Sequence, residues 1–271
     1  MSILRIATFN VNSIKARLPI VEKFLRGGEV PDILCLQETK CRNADFPEDF
    51  FKELGYACAY SGMKSYNGVA VVSRIPPDSF SAGFGDGDDT EQDSARVLRA
   101  RFGDIDVICT YVPQGKEMGS PDYSYKLRFL ERLRAMFDRA YKPSGKLLWT
   151  GDINVVPTDI DVTHPENKRE HVCVCEEVRT ALSGVISWGF VDVFRKHRPD
   201  PGEFSFWDYR LKGALEKNIG WRIDHLFATR ALADTSVDAY AARELRAMER
   251  PSDHTAVTAV FDLQPGWRGE C

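Results

Sequence analysis

Short segments rich in Ile, Val, Leu and Phe recur along the chain, with turn-forming residues between them. Segments of this length and composition are typical of buried β-strands. We predict strands at residues 3–9, 32–37, 68–73, 97–102, 105–112, 146–150, 222–228 and 255–262. A chain with this pattern needs a fold in which β-sheets form the core.

Helical patterns lie between some of these segments, at residues 13–26, 47–54, 123–141 and 176–188. The first has Ser13 as a candidate N-cap and a Gly27-Gly28 pair as a stop signal. Segments 97–102 and 105–111 are joined by Gly103-Asp104, which predicts a hairpin and excludes purely parallel sheets. The predicted fold class is therefore α/β or α+β, with a mixed two-sheet core and flanking helices.

The composition fits one large globular unit. The chain has 271 residues, of which 43% are hydrophobic and 28% charged, and it shows no short repeat and no linker-like change of composition. We predict a single domain over residues 1–271.

No apolar stretch is long enough to cross a bilayer, and residues 1–25 lack the features of a signal peptide. We therefore expect a cytoplasmic protein without a membrane partner.

Net charge does not decide whether the protein binds nucleic acid, and the cysteine content bears only on the oxidation state of the thiols. The formal net charge of −4 argues against nonspecific adhesion to nucleic acid, yet 36 basic residues suffice for a local positive face. The seven cysteines are scattered, Cys271 among them, and their odd number favours reduced thiols.

Polar side chains stand repeatedly at the ends of predicted strands. In "LLWTGDINV", Asp152 and Asn154 are two residues apart and so share one face of a strand. A single Asp or Asn at a strand end usually caps a turn. Here the same kind of residue recurs at the other strand ends, which indicates a functional site: Asn10, Asn12, Glu38, Tyr111, Asp224, Asp253 and His254.

The donor types in this set predict a metal and a reaction. Carboxylates and amides with one histidine suit Mg²⁺ or Mn²⁺ better than Zn²⁺, which favours imidazole and thiolate. Such an ion neutralises charge that develops on a phosphoryl oxygen, and a neighbouring acid or base handles the water or the leaving oxygen. The chemistry indicated is hydrolysis of a phosphodiester or a phosphomonoester.

Eight motifs carry a family resemblance. They occur in order between residues 8 and 254: "TFNVNSI", "LQETK", "YNGVA", "YVPQG", "GDINVVPTDID", "FSFWDYR", "GWRIDHL" and "PSDH". With them the chain resembles exonuclease III and the apurinic/apyrimidinic (AP) endonucleases, within the endonuclease/exonuclease/phosphatase superfamily that includes DNase I. The resemblance implies a four-layered α/β sandwich of two mixed sheets with helices outside, and an active site where loops of both sheets meet.

The resemblance also implies roles for individual residues. Glu38 matches the principal metal ligand, with Asn10 beside it and Asp253 linked directly or through water. Asp152 matches the residue that orients or deprotonates the attacking water, and Asn154 the one that holds the phosphate. The implied metal-ligand set is Asn10, Glu38, Asp152, Asn154 and Asp253. Asn12 stands where some relatives have an aspartate.

Two further side chains match groups that act on the phosphate. His254 resembles the histidine that polarises a phosphoryl oxygen and is oriented by Asp224, either as an imidazolium or as a neutral base. Tyr111 resembles the tyrosine that contacts the scissile phosphate.

The substrate-binding positions lie in loops. Phe206, Trp221 and Ile223 match a small apolar pocket that accepts a flipped-out abasic sugar and excludes a nucleotide with its base, although aromatics in such a segment are more often part of a core. In addition, four residues resemble positions that grip the DNA: Tyr66, Asn67, Gln114 and Lys116.

Two other motifs carry weaker alternatives. The acidic segment 86–96 lacks the glycine and the final glutamate of a calcium loop, which favours a solvated acidic loop. The segment "HVCVC", residues 171–175, lacks a fourth partner at zinc-site spacing, which favours reduced thiols in a loop.

The function implied is a Mg²⁺-dependent nuclease of DNA base excision repair, with Mn²⁺ as a possible substitute ion. It would act as a monomer on double-stranded DNA, cutting 5′ to abasic sites and removing nucleotides or blocking groups from 3′ ends. One alternative is a phosphoesterase of the same fold that acts on RNA or a small phosphoester. The other is a DNA-binding module without catalysis.

Overall fold

In the computed structural model, which describes residues 2–263, the strands form two six-stranded sheets. The strands of the described chain are β1 Ser2–Asn10, β2 Ile33–Gln37, β3 Ala57–Ser61, β4 Val69–Ser73, β5 Ser79–Ala82, β6 Val97–Phe102, β7 Ile105–Tyr111, β8 Lys146–Asp152, β9 Phe190–Asp192, β10 Asp224–Thr229, β11 Ser236–Ala241 and β12 Val257–Leu263.

The helices connect and cover these strands. The α-helices of the described chain are α1 Ile14–Leu25, α2 Glu48–Glu53, α3 Glu91–Ser94, α4 Pro121–Ala140, α5 Glu176–Ile186, α6 Val193–His197, α7 Arg230–Ala233 and α8 Arg243–Arg246. Short 3₁₀ helices cover Asn43–Asp45, Asp159–Asp161 and Pro165–Asn167.

Both sheets are mixed. The first has the order β11-β12-β1-β2-β4-β3, and the second β5-β6-β7-β8-β10-β9. The pairs β1/β2 and β7/β8 are parallel, and the other neighbours are antiparallel. The predicted hairpin is confirmed, since β6 and β7 pair antiparallel up to Phe102 and Ile105.

The two sheets pack face to face. The alternation of side chains along β1 shows how: Ile6 belongs to the cluster between the sheets, whereas Ala7 and Phe9 belong to a cluster under α1. On the second sheet, Trp149 packs beneath Phe137 of α4. Helices therefore cover the outer face of each sheet, and the predicted four-layered sandwich is confirmed.

Prediction and structure differ at the sheet edges. Each of the eight predicted strands is present, but β3, β5, β9 and β11 were not predicted, and these four are the edge strands of the two sheets. Ser13 precedes α1, but its side chain makes no capping hydrogen bond, so the predicted cap is wrong. Its φ of 92° instead belongs to the turn that follows β1.

The acidic segment 86–96 is hydrogen-bonded to a basic residue of α4. Arg132 donates to Asp86, Asp89 and Asp93, and it lowers the pKa of Asp86 to about 2. Thr90 and Asp93 form a capping box at the start of α3. These contacts agree with an acidic loop rather than a calcium loop.

Six cysteines are free thiols in the described residues, as expected, and Cys271 lies outside them. None of the helices described here has the length and apolar character needed to span a membrane.

Candidate active site

Three neighbouring strands of the second sheet carry a polar terminal residue at the same edge of the sheet, where β7 and β8 end and β10 begins. Tyr111 of β7 is the register partner of Asp152 of β8, which in turn is the partner of Asp224 of β10. Side chains directly opposite each other on adjacent strands lie on one face. Gly151 permits this approach: its φ is +138°, and a Cβ there would lie 1.9 Å from the carbonyl oxygen of Thr110.

Asn10 joins the two sheets at this level. It ends β1, and its Nδ2 donates to Oε1 of Glu38, just after β2, and to Oδ2 of Asp152, both at 2.9 Å. Its Oδ1 accepts from the backbone N–H of Asn12 at 3.0 Å. Asn10 therefore presents its N–H group, rather than its oxygen, to the two carboxylates.

His254 lies between two buried carboxylates. Its Nδ1 is 2.8 Å from Oδ2 of Asp224, and its Nε2 is 3.8 Å from Oδ2 of Asp152. Burial disfavours the imidazolium, but the carboxylates of Asp224 and Asp152 outweigh it and raise the pKa of His254 to about 10. This geometry favours the imidazolium over the neutral base.

Asp152 is buried and held by N–H donors. Its Oδ1 accepts from the backbone N–H of Asn154 at 3.0 Å, in addition to the bond from Asn10. Burial raises the pKa of Asp152 to about 8, and although His254 opposes the shift, Asp224 adds to it. A carboxylate with proton affinity near neutral pH is suited to accept a proton from water.

Glu38 is held in its charged form by a basic neighbour. Burial raises its pKa, but Lys40 and the Asn10 amide outweigh this, so the pKa of Glu38 lies below its usual value. The Nζ of Lys40 is 2.8 Å from Oε2 of Glu38 and also donates to Oδ1 of Asn12 at 2.5 Å. The Nδ2 of Asn12 then donates to Asp253 at 3.0 Å. Sequence reasoning missed Lys40, although it belongs to the "LQETK" motif.

The donor set fits a divalent cation of the magnesium class. Glu38, Asp152 and Asp253 line one cavity. Asp152, Asp224 and His254 each offer a ligand atom within 4.8 Å of the others, and Oδ1 of Asp224 is buried without a hydrogen-bond partner among the described atoms. A concentration of hard oxygen donors of this kind suits such an ion.

Tyr111 keeps its proton. Burial raises the pKa of its phenol well above the usual value, and the carboxylates of Glu38 and Asp152 add to the shift. Arg96 fixes the residue from behind: its guanidinium lies 4.6 Å from the ring centroid and donates to the Tyr111 carbonyl at 3.0 Å. The phenol is therefore a hydrogen-bond donor at the cavity wall.

The three predicted pocket residues do come together. Phe206, Trp221 and Ile223 line the same cavity as Asp152 and His254. Phe206 forms backbone bridges with Trp221 and His254, and its ring centroid lies 4.9 Å from that of His254. An apolar wall therefore stands directly beside the polar groups.

The segment "HVCVC" forms another part of this wall. His171 and Cys173 line the cavity, and the His171 ring packs on Trp221 with centroids 4.8 Å apart. Cys173 lies near Lys126, whereas Cys175 contacts the Tyr123 hydroxyl at 3.1 Å. The two thiols thus have different partners, as expected for reduced cysteines. Sequence reasoning predicted reduced thiols here, near a DNA-binding wall, but named neither His171 nor Cys173 as a cavity residue.

Four predicted DNA-gripping positions divide into two groups. Gln114 and Lys116 line the cavity. Tyr66 is exposed and does not line it, and Asn67 is buried with its carbonyl accepting from the backbone N–H of Lys40 at 2.9 Å. Asn67 thus supports the loop that carries Glu38.

Backbone strain is concentrated around the site. Residues other than glycine rarely adopt positive φ, and where they do, the surrounding structure must hold them. Near the cavity the following residues have positive φ: Asn12, Ser13, Glu38, Lys40, Asn67, Lys116 and Asn154. The loops that carry the polar groups are therefore held in conformations that the chain would not adopt by local preference.

The fold and the site together define the class of metal-dependent phosphoesterases built on a two-sheet sandwich. The model of the Endonuclease/Exonuclease/phosphatase family matches residues 7–254, and the chain belongs to that family.

Individual relatives support this membership over nearly the whole chain. Exodeoxyribonuclease III from Haemophilus influenzae is 32% identical over 270 residues, which cover 95% of this chain and all of that protein. An AP endonuclease structure from Archaeoglobus fulgidus has 46% identity and a TM-score of 0.92, covering 96% of this chain and 100% of that one. The 3′ phosphatase NExo from Neisseria, solved with a product DNA hairpin, has 35% identity and a TM-score of 0.88 at the same coverage.

Proposed function

We propose that the protein is a Mg²⁺-dependent DNA repair nuclease that cuts the phosphodiester 5′ to an abasic site. It also removes nucleotides and blocking groups from 3′ ends. The observation that carries the proposal is one cavity lined by Asp152, His254 and Glu38 on one side and by the apolar pair Phe206 and Trp221 on another. Hydrolytic groups next to a pocket of this kind suit a damaged nucleotide better than a small soluble phosphoester.

The charges of the site suit hydrolysis of a phosphodiester. Asp152 accepts a proton from the attacking water, since its carboxylate is buried and its pKa is raised to about 8. The His254 imidazolium donates to a non-bridging phosphoryl oxygen and stabilises the charge that develops there. Asn154 donates to the phosphate through its amide, because only one of the two N–H groups of Nδ2 is bound to the Val112 carbonyl.

The bond that breaks joins phosphorus to the 3′ oxygen of the preceding sugar, so that the cut leaves a 3′-hydroxyl. Tyr111 donates a hydrogen bond to this leaving oxygen, a role supported by a phenol that stays protonated. Glu38, with Asp152, Asn154, Asp253 and Asn10 nearby, would hold a Mg²⁺ or Mn²⁺ ion, which would supply positive charge to the phosphate oxygens.

The apolar pocket selects the substrate by size. Phe206, Trp221 and Ile223 accept a sugar that has rotated out of the duplex, while a nucleotide that still carries its base clashes with them. Lys116 and Arg210 line the same cavity and offer positive charge to neighbouring phosphates. The names of the relatives, an exodeoxyribonuclease III, an AP endonuclease and a 3′ phosphatase, agree with the set of activities proposed here.

One experiment tests the proposal. The purified chain is incubated with an end-labelled duplex in four forms, intact, abasic, nicked and 3′-phosphorylated, with Mg²⁺ or with EDTA. We expect a cut 5′ to the abasic site and removal of the 3′-phosphate in the samples with Mg²⁺, and neither product in the samples with EDTA. Absence of both products would refute the proposal. Turnover of RNA or of inositol phosphates in place of these duplexes would identify the alternative substrate class.

Binding to the duplex gives an independent check. Each phosphate contact releases counterions, so the dissociation constant for abasic DNA in EDTA should rise steeply with salt. Size-exclusion chromatography with light scattering should show one chain per complex, in agreement with the proposed monomer.

A further inference from the structure

Lys126 is a buried lysine that the proposed mechanism does not use. It lies in α4, and its side chain has no exposed surface. Tyr123, Leu130 and Leu133 are buried in the same helix, so a charged residue interrupts an otherwise apolar face. The sequence signal was available, since a lone lysine stands at helical spacing among these apolar residues.

The ammonium of Lys126 is saturated by backbone carbonyls. Its Nζ donates to the carbonyl oxygens of Gln114 at 3.1 Å, Asn154 at 2.7 Å and Val172 at 2.7 Å. These three bonds use the three N–H groups of a lysine. No ion pair with a carboxylate is found for Lys126 in the described part of the chain.

A buried ammonium without a carboxylate partner is costly, and burial accordingly lowers the pKa of Lys126. An apolar side chain of similar shape would avoid this cost if the position served only to fill space. The three carbonyls come instead from three separate loops, and each of these loops contributes residues to the cavity. The single ammonium of Lys126 is therefore hydrogen-bonded to three loops that line the cavity.

Asn154 shows what one of these contacts fixes. The residue has a φ of +53°, its backbone N–H donates to Asp152 and its Nδ2 donates to Val112. Its carbonyl is held by Lys126. Without the ammonium this carbonyl would be buried without a partner, and Asn154 could relax from its left-handed conformation. Asp152 would then lose a geometric constraint.

The other two loops are held in the same way. A Cβ at Gly115, where φ is +95°, would lie 3.2 Å from Cδ of Lys126, so the loop after Gln114 runs directly along the lysine stem. Val172 precedes Cys173, whose carbonyl accepts from the backbone N–H of Val156 at 2.7 Å. The His171–Cys173 wall and the loop after Asn154 are therefore bonded to each other as well as to Lys126.

We infer that Lys126 is a positioning residue for hydrolysis: its ammonium sets the relative positions of the loops that carry Gln114, Asn154 and the His171–Cys173 wall. It does not line the cavity and is not proposed to touch the substrate. The inference rests on the proposed function for its effect on turnover, whereas its effect on the loops can be measured without any substrate.

The test compares two variants of the same helix. Lys126→Met keeps an unbranched side chain but removes the three donors, and Leu133→Ala removes buried apolar volume two turns away. Both should lower the melting temperature. With abasic duplex and Mg²⁺, below the melting transition of each protein, we expect kcat of Lys126→Met to fall about 10- to 100-fold, the effect of a small misplacement of reacting groups. KM should change little, and Leu133→Ala should keep the wild-type kcat.

Hydrogen–deuterium exchange of the free proteins supplies the second measurement. Residues 112–117, 153–156 and 171–175 should exchange faster in Lys126→Met than in Leu133→Ala. Equal exchange in the two variants, or an unchanged kcat in Lys126→Met, would overturn the inference. If the wild type cleaves none of the duplexes, the proposed function fails, and the exchange measurement alone decides whether Lys126 orders the loops.

Discussion

Asp224 and His254 form a buried pair in which Oδ2 of the carboxylate lies 2.8 Å from Nδ1 of the ring. The residues are 30 positions apart in sequence and are brought together by β10 and by the turn before β12. A carboxylate at Nδ1 fixes the ring orientation and stabilises the imidazolium, so Nε2 carries a proton towards the cavity.

Replacing this carboxylate should move the pH profile of the reaction. The raised pKa of His254, about 10, means that the imidazolium persists below that pH and is lost as the pH rises through it. In Asp224→Asn the pKa should fall by about 1 to 3 units, and the alkaline limb of kcat/KM should move to lower pH by the same amount. An alkaline limb at the wild-type position would show that His254 does not act as the acid.

Asp152→Asn should abolish most turnover without loss of DNA binding. The amide cannot accept the proton of the attacking water, and a group of this kind contributes a factor of about 10² to 10⁴. Single-turnover cleavage of abasic duplex gives the rate, and binding of the same duplex in EDTA shows that the variant is intact. Wild-type turnover in this variant would remove Asp152 from the mechanism.

Glu38→Gln should weaken the metal site. The lowered pKa of Glu38 shows a carboxylate that stays charged, and its loss removes the negative charge that attracts the ion. We expect the midpoint of a Mg²⁺ titration of activity to rise by about tenfold or more. Glu131→Gln, an exposed change on α4, is the matched control and should leave the midpoint in place. A midpoint that does not move in Glu38→Gln would assign the main ligand elsewhere.

Phe206→Ala should relax substrate selection. The side chain stands between Trp221 and His254, and its removal widens the pocket for a sugar that carries a base. The ratio of kcat/KM for abasic over intact duplex should fall by about tenfold or more. Phe80→Ala, a change on an exposed edge strand, should keep the wild-type ratio. An unchanged ratio in Phe206→Ala would exclude size selection by this wall.

His225 should make stability depend on pH. Arg222 donates to its Nδ1 at 2.9 Å, which leaves the ring proton on Nε2 for the Val155 carbonyl, so the ring is neutral. Burial and the Arg222 charge lower its pKa from 6.5 to about 4. Between pH 6.5 and 4, His225 therefore binds a proton in the unfolded chain but stays neutral in the folded chain. The free energy of unfolding consequently falls as the pH falls from about 6.5 to 4.

The matched variant is His225→Gln, which can accept from Arg222 and donate to Val155 without titrating. Between pH 6.5 and 4, the free energy of unfolding of the wild type should fall by about 3 kcal/mol more than that of the variant. Asp152, whose pKa is raised, has the opposite effect on the free energy of unfolding in this pH range. Because Asp152 is present in both proteins, its contribution cancels when the variant is subtracted from the wild type. Urea unfolding at several pH values measures this difference, and parallel curves would contradict the assignment.

The fold was predictable where strands are buried on both sides. Segments such as β2 and β8 contain the apolar runs "ILCL" and "LLW" because each strand lies between a second sheet and a layer of helices. The four strands that were missed are edge strands, and β5, for example, is almost wholly exposed. An edge strand is held by backbone bonds to one neighbour, so its side chains need no apolar pattern.

The residues of the site could be predicted from the sequence, but their hydrogen-bond partners could not. Glu38, Asp152 and His254 could be found because polar residues at strand ends recur within family motifs. The sequence could not show that Asn10 turns its N–H towards both carboxylates, because that orientation depends on the Asn12 backbone N–H. The pattern does place Lys126 on an apolar helix face, but it could not show what the lysine binds, since its partners are backbone carbonyls, which every residue has.

The central claim is a single metal site formed by residues of both sheets, and a crystal grown with Mn²⁺ tests it most directly. We predict an anomalous difference peak about 2 Å from a carboxylate oxygen of Glu38, on the cavity side that it shares with Asp152. A peak bound only at other residues, with Glu38 and Asp152 still bridged by Asn10 and no ion beside them, would contradict it.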